Sequence, residues 1–199
     1  MQTGGMLTGA KIIDEYENGR IEITNFDKAC VNPNSYDLKI GNTYKTIESD
    51  QKLKYCTMPQ CLSVNDIAIP IDELSLKDPI EYEEHEISDE GIVLYPGTLY
   101  LIPTLNKIHT DYYIPIITGR SSMGRAGISV HKEAGFGDIG FNGAWTLQVT
   151  VTYPIRIFKN IRMAQVYFIT PYGDIDILYH GKYQNSDTAR GSESYLDFK

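Results

Sequence analysis

The chain has 199 residues, of which 42% are hydrophobic, and a formal net charge of -8. This composition predicts a single folded domain over residues 1–199, and the acidic charge argues against a broad nucleic-acid-binding surface, which needs clustered Lys and Arg. No apolar run approaches the roughly 20 residues of a membrane-spanning helix. The three cysteines, Cys30, Cys56 and Cys61, have no CxxC spacing, which favours neither a disulfide framework nor structural zinc. We therefore expect a cytoplasmic protein with no nucleic-acid or membrane partner.

The first part of the chain predicts one short helix followed by strands. Met6 begins MLTGAKII, which resembles a natural start, so residues 1–6 are expected to be an added remnant or a disordered start. Residues 7–22 predict a helix, because Ile12, Ile13 and Tyr16 recur at helical spacing and Gly19 is placed to end it. The run CVNPNSYDLKIGNTYKTI alternates polar and apolar residues between turn formers, as strands do. Residues 50–90 are polar and acidic, and EYEEHE is predicted to be a solvated surface segment.

From Gly91 onward the pattern is that of short strands. Gly, Pro and Asn separate the apolar or alternating runs, which are GIVLYPG, TLYLIPT, YYIPIIT, AWTLQVTVTYP, IRIFKN and MAQVYFIT. Even spacing of short strands predicts a β-sandwich or β-barrel and not a βαβ unit. The tail, residues 181–199, is polar and has no periodicity, so we expect it to be mobile until a ligand orders it.

Two arginines, two serines and two glycines lie together in GRSSMGR, residues 119–125. A guanidinium group matches phosphate oxygens, serine hydroxyls donate to them, and glycine lets the backbone approach a ligand closely. The alternative is a polar turn that follows the strand YYIPIIT. The segment is not a P-loop, because GxxxxGK[ST] is absent.

A second glycine-rich segment, HKEAGFGDIGFNG, spans residues 131–143. Its four glycines and Asp138 predict a hairpin around a small ligand, in which Asp138 orients a water molecule or a sugar hydroxyl. The alternative is that Asp138 only supports a turn. His131 falls at the end of a predicted strand, residues 128–131, where a hydrogen-bonded core or interface histidine is the expectation.

The sequence predicts no zinc site. Zinc-dependent nucleobase deaminases use H-x-E together with P-C-x-x-C, and no cysteine follows His131-Lys132-Glu133. The histidines, His85, His109, His131 and His180, show no ligand spacing either.

The run GRSSMGRAGISVHKEAGFGDIGFNGAWTLQV, residues 119–149, resembles the signature of dCTP deaminases and of the bifunctional deaminase–dUTPases in the dUTPase superfamily. Further segments that resemble this family occur in the same order along the chain: NPNSYDLKIG, YPGTLYLIPT, KNIRMAQVYF and GKYQ. The resemblance extends from about residue 7 to residue 184. It implies a mainly β fold, a distorted jelly-roll-like β-barrel with a short N-terminal helix.

The resemblance also implies an activity and an assembly. The protein would be a homotrimer with active sites between subunits, over which the C-terminal tail closes. It would convert dCTP to dUTP without zinc, and Mg²⁺ would be bound through the triphosphate. Arg125 would lie beside the base and the attacking water, and Asp138 would face the deoxyribose. The residues implied to contact substrate are Arg120, Ser121, Ser122, Arg125, His131, Ala134, Asp138, Lys182 and Gln184, and those implied in catalysis are Gln148, Arg125 and Ser121.

Two positions depart from the family pattern. Gln148 stands where the family has a catalytic glutamate, and Glu133 stands where a small hydroxyl residue is usual. An amide cannot accept and return a proton near neutral pH, although it can hydrogen-bond a pyrimidine edge. Three accounts remain open: an enzyme altered at this position, a natural nucleotide-binding protein without catalysis, and a triphosphate pyrophosphatase that depends on Asp138.

Overall fold

The computed structural model describes residues 4–47, 74–131 and 134–199. Cys56, Cys61 and Glu133, and the expectations attached to them, lie outside these ranges. The two α-helices are α1 (Gly9–Glu17) and α2 (Ser121–Arg125). The strands are β1 (Glu22–Ile23), β2 (Tyr36–Lys39), β3 (Thr43–Ile47), β4 (Tyr82–Glu86), β5 (Ile92–Leu94), β6 (Tyr100–His109), β7 (Ile114–Gly119), β8 (Ile128–Val130), β9 (Asn142–Val151), β10 (Ile155–Ile157) and β11 (Arg162–Ile169).

The strands confirm the prediction of a mainly β fold, and each apolar run from residue 91 onward contains one. Strands β4, β3, β6, β9 and β8 are neighbours in that order in the largest sheet, and β1 pairs with β6. A second sheet has the order β2-β11-β7, and β10 pairs with β5. All of these pairings are antiparallel. The core between the sheets is apolar, and Leu38, Ile102, Leu147, Val166 and Phe168 are completely buried in it.

The N-terminal helix is confirmed but is shorter than predicted. It begins at Gly9 because the Thr8 side chain accepts a hydrogen bond from Lys11 N–H, which is typical of an N-cap. It ends at Glu17, where Asn18 forms the C-cap and Gly19 adopts a φ of 68°. The predicted extension to residue 22 is therefore wrong. Before the helix, the Gly5 carbonyl accepts from Thr170 N–H at 3.0 Å.

The acidic run EYEEHE is at the surface as expected, since none of its residues is buried, and it contains the edge strand β4, which pairs with β3 from Thr43 opposite Glu86 to Ile47 opposite Tyr82. A further local prediction is corrected. The predicted strand at residues 128–131 ends at Val130, because His131 has a φ of 66° and leaves the extended region. Among the described residues, no helix is long and apolar enough to cross a membrane.

Candidate functional site

A cavity of about 480 Å³ lies beside β9. Most of its wall comes from three parts of the chain: the two long central strands β6 and β9, the glycine-rich segment after β8, and the C-terminal tail. Tyr82 of β4 and Leu99 complete it. The described residues that line it are Tyr82, Leu99, Leu101, His131, Ala134, Phe136, Gly137, Asp138, Phe141, Ala144, Trp145, Thr146, Gln148, Tyr179, Tyr183, Ser186, Arg190, Gly191 and Ser192. Arg190 is the one Lys or Arg in this set and Asp138 the one carboxylate.

Strand β9 places Gln148 in the cavity. Alternation along the strand buries Leu147 and Val149 in the core, so Gln148 faces the opposite side and is half-buried. Its backbone carbonyl accepts from His131 N–H at 3.2 Å. The Gln148 side chain makes no hydrogen bond within the described part of the chain. It is therefore available to a ligand.

The glycine-rich segment joins the two strands of the antiparallel β8–β9 hairpin, and its residues Ala134 and Asp138 line the same cavity as His131. Its backbone is tied to β7, since Ile117 N–H donates to the Gly135 carbonyl at 2.7 Å and Gly137 N–H donates to the Pro115 carbonyl at 2.9 Å. Asp138 is exposed, and its carboxylate has no partner among the described residues. The hairpin thus presents one free carboxylate at the cavity.

Burial keeps His131 neutral. Removal of the imidazole from water lowers its pKa to about 4. Neither ring nitrogen has a hydrogen-bond partner in the part of the chain that the structure describes. The sequence suggested a hydrogen-bonded core or interface histidine, whereas the structure has an unpaired imidazole in the cavity wall. At neutral pH this ring offers one donor and one acceptor.

The tail folds back over the cavity and pairs with β9. Ala144 N–H donates to the Ser186 carbonyl and Asn185 N–H to the Asn142 carbonyl, both at 2.7 Å. Farther along, Arg190 N–H donates to Thr146 Oγ1 at 2.8 Å, and the Arg190 guanidinium pairs with Glu193. A side chain at Gly143, which has a φ of 151°, would place its Cβ 2.8 Å from the Ser186 nitrogen. Glycine there permits the tail to lie directly on the strand.

The two tail residues implied in phosphate binding are engaged within the chain. Lys182 Nζ donates to the Glu193 carbonyl and to Asp197 Oδ1, each at 3.0 Å. The Gln184 amide accepts from Asn142 N–H and donates to the Gly140 carbonyl, both at 2.8 Å. Both residues hold the tail in place in this structure, and their contact with phosphate stays a prediction.

The GRSSMGR segment lies outside the cavity. It folds as the end of β7 followed by α2, where Ser121, Ser122 and Arg125 are exposed. None of these residues, nor Arg120, lines the cavity of its own chain. The polar turn considered from the sequence is thus a single helical turn.

Arg120 is held in a fixed position by its neighbours. Its Nε lies 3.1 Å from Oδ1 of Asp37, which is only 2% exposed, and its Nη1 donates to the Arg162 carbonyl at 3.1 Å. Arg162 Nη1 lies 3.5 Å from the other oxygen of Asp37. Two guanidinium groups thus share one buried carboxylate, which leaves a net positive charge at this edge of the sheet.

The structure therefore divides the predicted site residues into two groups. His131, Ala134, Asp138 and Gln148 come together in the cavity, while the arginines and serines of residues 120–125 form a separate surface. Sequence reasoning missed Tyr82, Thr146, Trp145 and Arg190. Tyr82 lies in the acidic segment that was predicted to be surface, and Arg190 lies in a tail without periodicity. The sequence around each of them therefore gave no local indication of a binding site.

A family model described as dCTP deaminase-like matches residues 6–170. The chain belongs to this family. Among curated relatives, one from Clostridium beijerinckii is 36% identical over 194 residues, covering 98% of this chain and 99% of the relative. One from Clostridium acetobutylicum is 37% identical over 193 residues, covering 97% and 99%. Both are named dCTP deaminase, dUMP-forming.

A solved structure also has this fold. The 2'-deoxycytidine 5'-triphosphate deaminase of Agrobacterium tumefaciens superposes with a TM-score of 0.60 at 20% identity. The match covers 85% of this chain and 49% of that chain, so this chain spans about half the length of the solved protein. At this identity the likeness establishes the fold alone.

Proposed function

We propose that this protein binds dCTP with the nucleoside in the cavity beside β9, and that it is a hydrolase of the dCTP deaminase type. The observation that carries the proposal is the convergence of His131, Ala134, Asp138 and Gln148 on one cavity. His131, Ala134 and Asp138 come from the glycine-rich segment and Gln148 comes from β9. The family resemblance implies substrate contacts for the first three and a catalytic position for Gln148. The names of the relatives favour dUMP as the final product, where the sequence had suggested dUTP.

The side chains in the cavity are better suited to hydrolysis of the phosphate chain than to deamination of the base. Deamination at C4 needs a group that accepts a proton from water and returns it to the ring and the leaving amine. The Gln148 amide can align the pyrimidine edge through its donor and acceptor but cannot transfer protons in this way. Asp138, with its free carboxylate, can orient a water molecule for hydrolysis of the phosphate chain. We infer that deamination is the slower step in this chain.

The phosphate-binding groups come, in this proposal, from a neighbouring copy. Arg120, Ser121, Ser122 and Arg125 lie away from the cavity of their own chain, and the cavity itself has Arg190 as its one cation among the described residues. An apolar surface beside the cavity supports such an assembly: Phe136 is 63% exposed and Ile177 79% exposed. We propose a homotrimer in which α2 of one copy faces the cavity of the next.

Magnesium would enter bound to the triphosphate. No group of three His, Cys, Asp or Glu side chains in the described ranges could hold a metal ion, whereas a triphosphate supplies its own oxygen ligands for Mg²⁺. The ion would neutralise part of the phosphate charge. The protein residues would then contribute orientation and hydrogen bonds rather than metal ligands.

Gln148 favours a second candidate function, binding without catalysis. If deamination fails for want of a proton-transfer group, a protein that folds and binds dCTP could regulate or sequester it. Product analysis separates the candidates. Incubation with dCTP and Mg²⁺ should give dUMP, ammonia and pyrophosphate for a dUMP-forming deaminase, dUTP and ammonia for a deaminase alone, and dCMP and pyrophosphate for a pyrophosphatase alone. Unchanged dCTP that nevertheless binds in calorimetry indicates the binding protein.

Subunit mixing tests the shared site. Arg120→Gln removes a phosphate-binding group from the α2 surface, and Asp138→Asn removes the carboxylate from the cavity. A trimer of either variant alone should therefore not turn over the triphosphate. Mixed trimers contain some sites built from an intact cavity and an intact α2, about a quarter of all sites in an equal random mixture. Recovery to about that level supports a shared site. No recovery, in mixtures shown by mass measurement to have exchanged subunits, would place the whole site within one copy.

A further inference from the structure

Unpaired polar atoms are concentrated in one wall of the cavity. Four buried side-chain nitrogen or oxygen atoms lack a hydrogen-bond partner among the described residues, and three of them are His131 Nδ1, His131 Nε2 and Trp145 Nε1. Both rings line the cavity, and their centroids lie 6.2 Å apart. Roughly 90% or more of buried polar groups are hydrogen-bonded in folded proteins. Two unpaired neighbours beside a cavity therefore point to a ligand that supplies the missing partners.

The packing of Trp145 leaves its indole N–H as the unused group. The residue is 7% exposed, and its backbone N–H already donates to Thr104 Oγ1 at 2.9 Å. Phe141 meets the ring edge-on with centroids 5.4 Å apart. Gly137 lies so close that a Cβ there would be 2.2 Å from Cη2 of the indole. These contacts fix the ring through its carbon atoms, while Nε1–H, which can only donate, has no acceptor.

The nature of the cavity limits what the acceptor can be. Phosphate oxygens need cations, and the one cationic side chain among the described lining residues, Arg190, is paired with Glu193. The aromatic rings around Trp145, those of Phe141 and Tyr179, suit the base and sugar better, because planar rings pack on apolar faces. Pyrimidines carry a carbonyl oxygen, and deoxyribose carries hydroxyl and ring oxygens, all of which accept hydrogen bonds.

We propose that Trp145 Nε1–H donates a hydrogen bond to the nucleoside half of the ligand, so that Trp145 is a substrate-positioning residue. The proposal rests on the proposed function, since it takes the ligand to be a pyrimidine nucleotide. It adds to the family motif a residue to which that motif assigns no role. Binding would supply an acceptor to a donor that is otherwise buried without one, and this gain would contribute to affinity for base and sugar but not for phosphate.

The indole N–H can be observed directly, because Trp145 is the one tryptophan of the chain. Protein labelled with ¹⁵N-tryptophan gives a single indole resonance. Deoxycytidine and dCTP should each move the indole proton downfield and slow its exchange with solvent, whereas inorganic tripolyphosphate should leave both unchanged. If dCTP binds in calorimetry while the resonance keeps its position and exchange rate, Trp145 is not a donor to the ligand.

Two variants separate hydrogen bonding from packing. Trp145→Phe keeps an aromatic ring and removes the N–H, so affinity for deoxycytidine and for dCTP should fall by the same factor, about 3- to 10-fold for one neutral hydrogen bond. Phe141→Leu disturbs the same aromatic contact without removing a donor, and should preserve the ligand-induced indole shift. If both variants lose the same affinity for deoxycytidine and dCTP, and the ligand causes no indole shift in Phe141→Leu, then Trp145 contributes only packing to the cavity wall. If the unaltered protein binds neither dCTP nor deoxycytidine, the proposed function fails and this inference fails with it.

Discussion

Replacement of Gln148 by glutamate should create or restore deamination of dCTP. The side chain lies on the cavity face of β9 and makes no hydrogen bond with a described residue. The substitution therefore breaks no hydrogen bond to a described residue and changes the shape of the wall very little. What it adds is a carboxylate that can accept a proton from water and return it to the base.

The expected decrease in the activation barrier for deamination is large compared with the expected loss of folding stability. General acid–base catalysis contributes about 10²- to 10⁴-fold, which corresponds to about 2.7–5.5 kcal/mol in the activation barrier. The cost is partial desolvation of the new carboxylate, on the order of 1 kcal/mol at a half-buried position. Asp138 is the one other carboxylate among the described lining residues, so the new carboxylate would meet at most one like charge from this set. Catalysis should therefore rise while the protein stays folded.

The assay is chromatographic separation of dCTP, dUTP, dUMP and dCMP over time, with thermal unfolding and dCTP affinity measured for each variant. Gln148→Leu serves as the matched control, because it fills similar space without any proton-transfer group and should remain inactive. The reasoning is refuted if Gln148→Glu folds, binds dCTP and forms no deaminated product. It is refuted equally by rapid deamination in the unaltered protein, since another residue would then transfer the protons.

Three further predictions concern the residues around the cavity. Arg120→Gln should weaken triphosphate binding by about 1.5–3 kcal/mol, the range for one charge-assisted contact, and leave deoxycytidine affinity unchanged in calorimetry; equal losses for both ligands would contradict a phosphate contact. Arg190→Gln removes the ion pair with Glu193, so proteolysis after residue 181 should become faster as the tail loosens. An unchanged cleavage rate would show that the hydrogen bond from Arg190 N–H to Thr146 is enough to hold the tail in place. Burial lowers the folded-state pKa of His131 to about 4 from 6.5. Because the unfolded state binds the proton first, the free energy of unfolding should fall as the pH falls from 6.5 to 4, by at most about 3 kcal/mol. His131→Gln should flatten this part of the pH profile of unfolding, and an unchanged profile would show that His131 is not the group responsible.

Local sequence patterns were sufficient for the strands from residue 91 onward, and insufficient for β4 and for the contacts between distant segments. Alternation along AWTLQVTV correctly indicates a strand, and the same alternation puts Gln148 on the face opposite Leu147. The φ of 66° at His131 leaves no signal in residue type, so the end of β8 was misplaced by one residue. Tyr82 was missed because its role depends on a partner 110 residues away, Ser192, whose N–H it accepts at 3.3 Å.

The resemblance implied active sites between subunits, and contacts within this chain explain why GRSSMGR does not reach the cavity of its own chain. GRSSMGR and the hairpin that follows it are separated by only the short strand β8, so sequence distance alone does not keep them apart. The turn at His131 instead directs the hairpin toward β9, while the Asp37 carboxylate fixes Arg120 against β11 and β2. Movement of Arg120 into the cavity of its own chain would leave the buried Asp37 with Arg162 alone, a costly loss for a carboxylate that is 2% exposed. A second copy can bring an α2 surface to the cavity without breaking that ion pair, and for this reason we favour a site that each subunit completes for its neighbour.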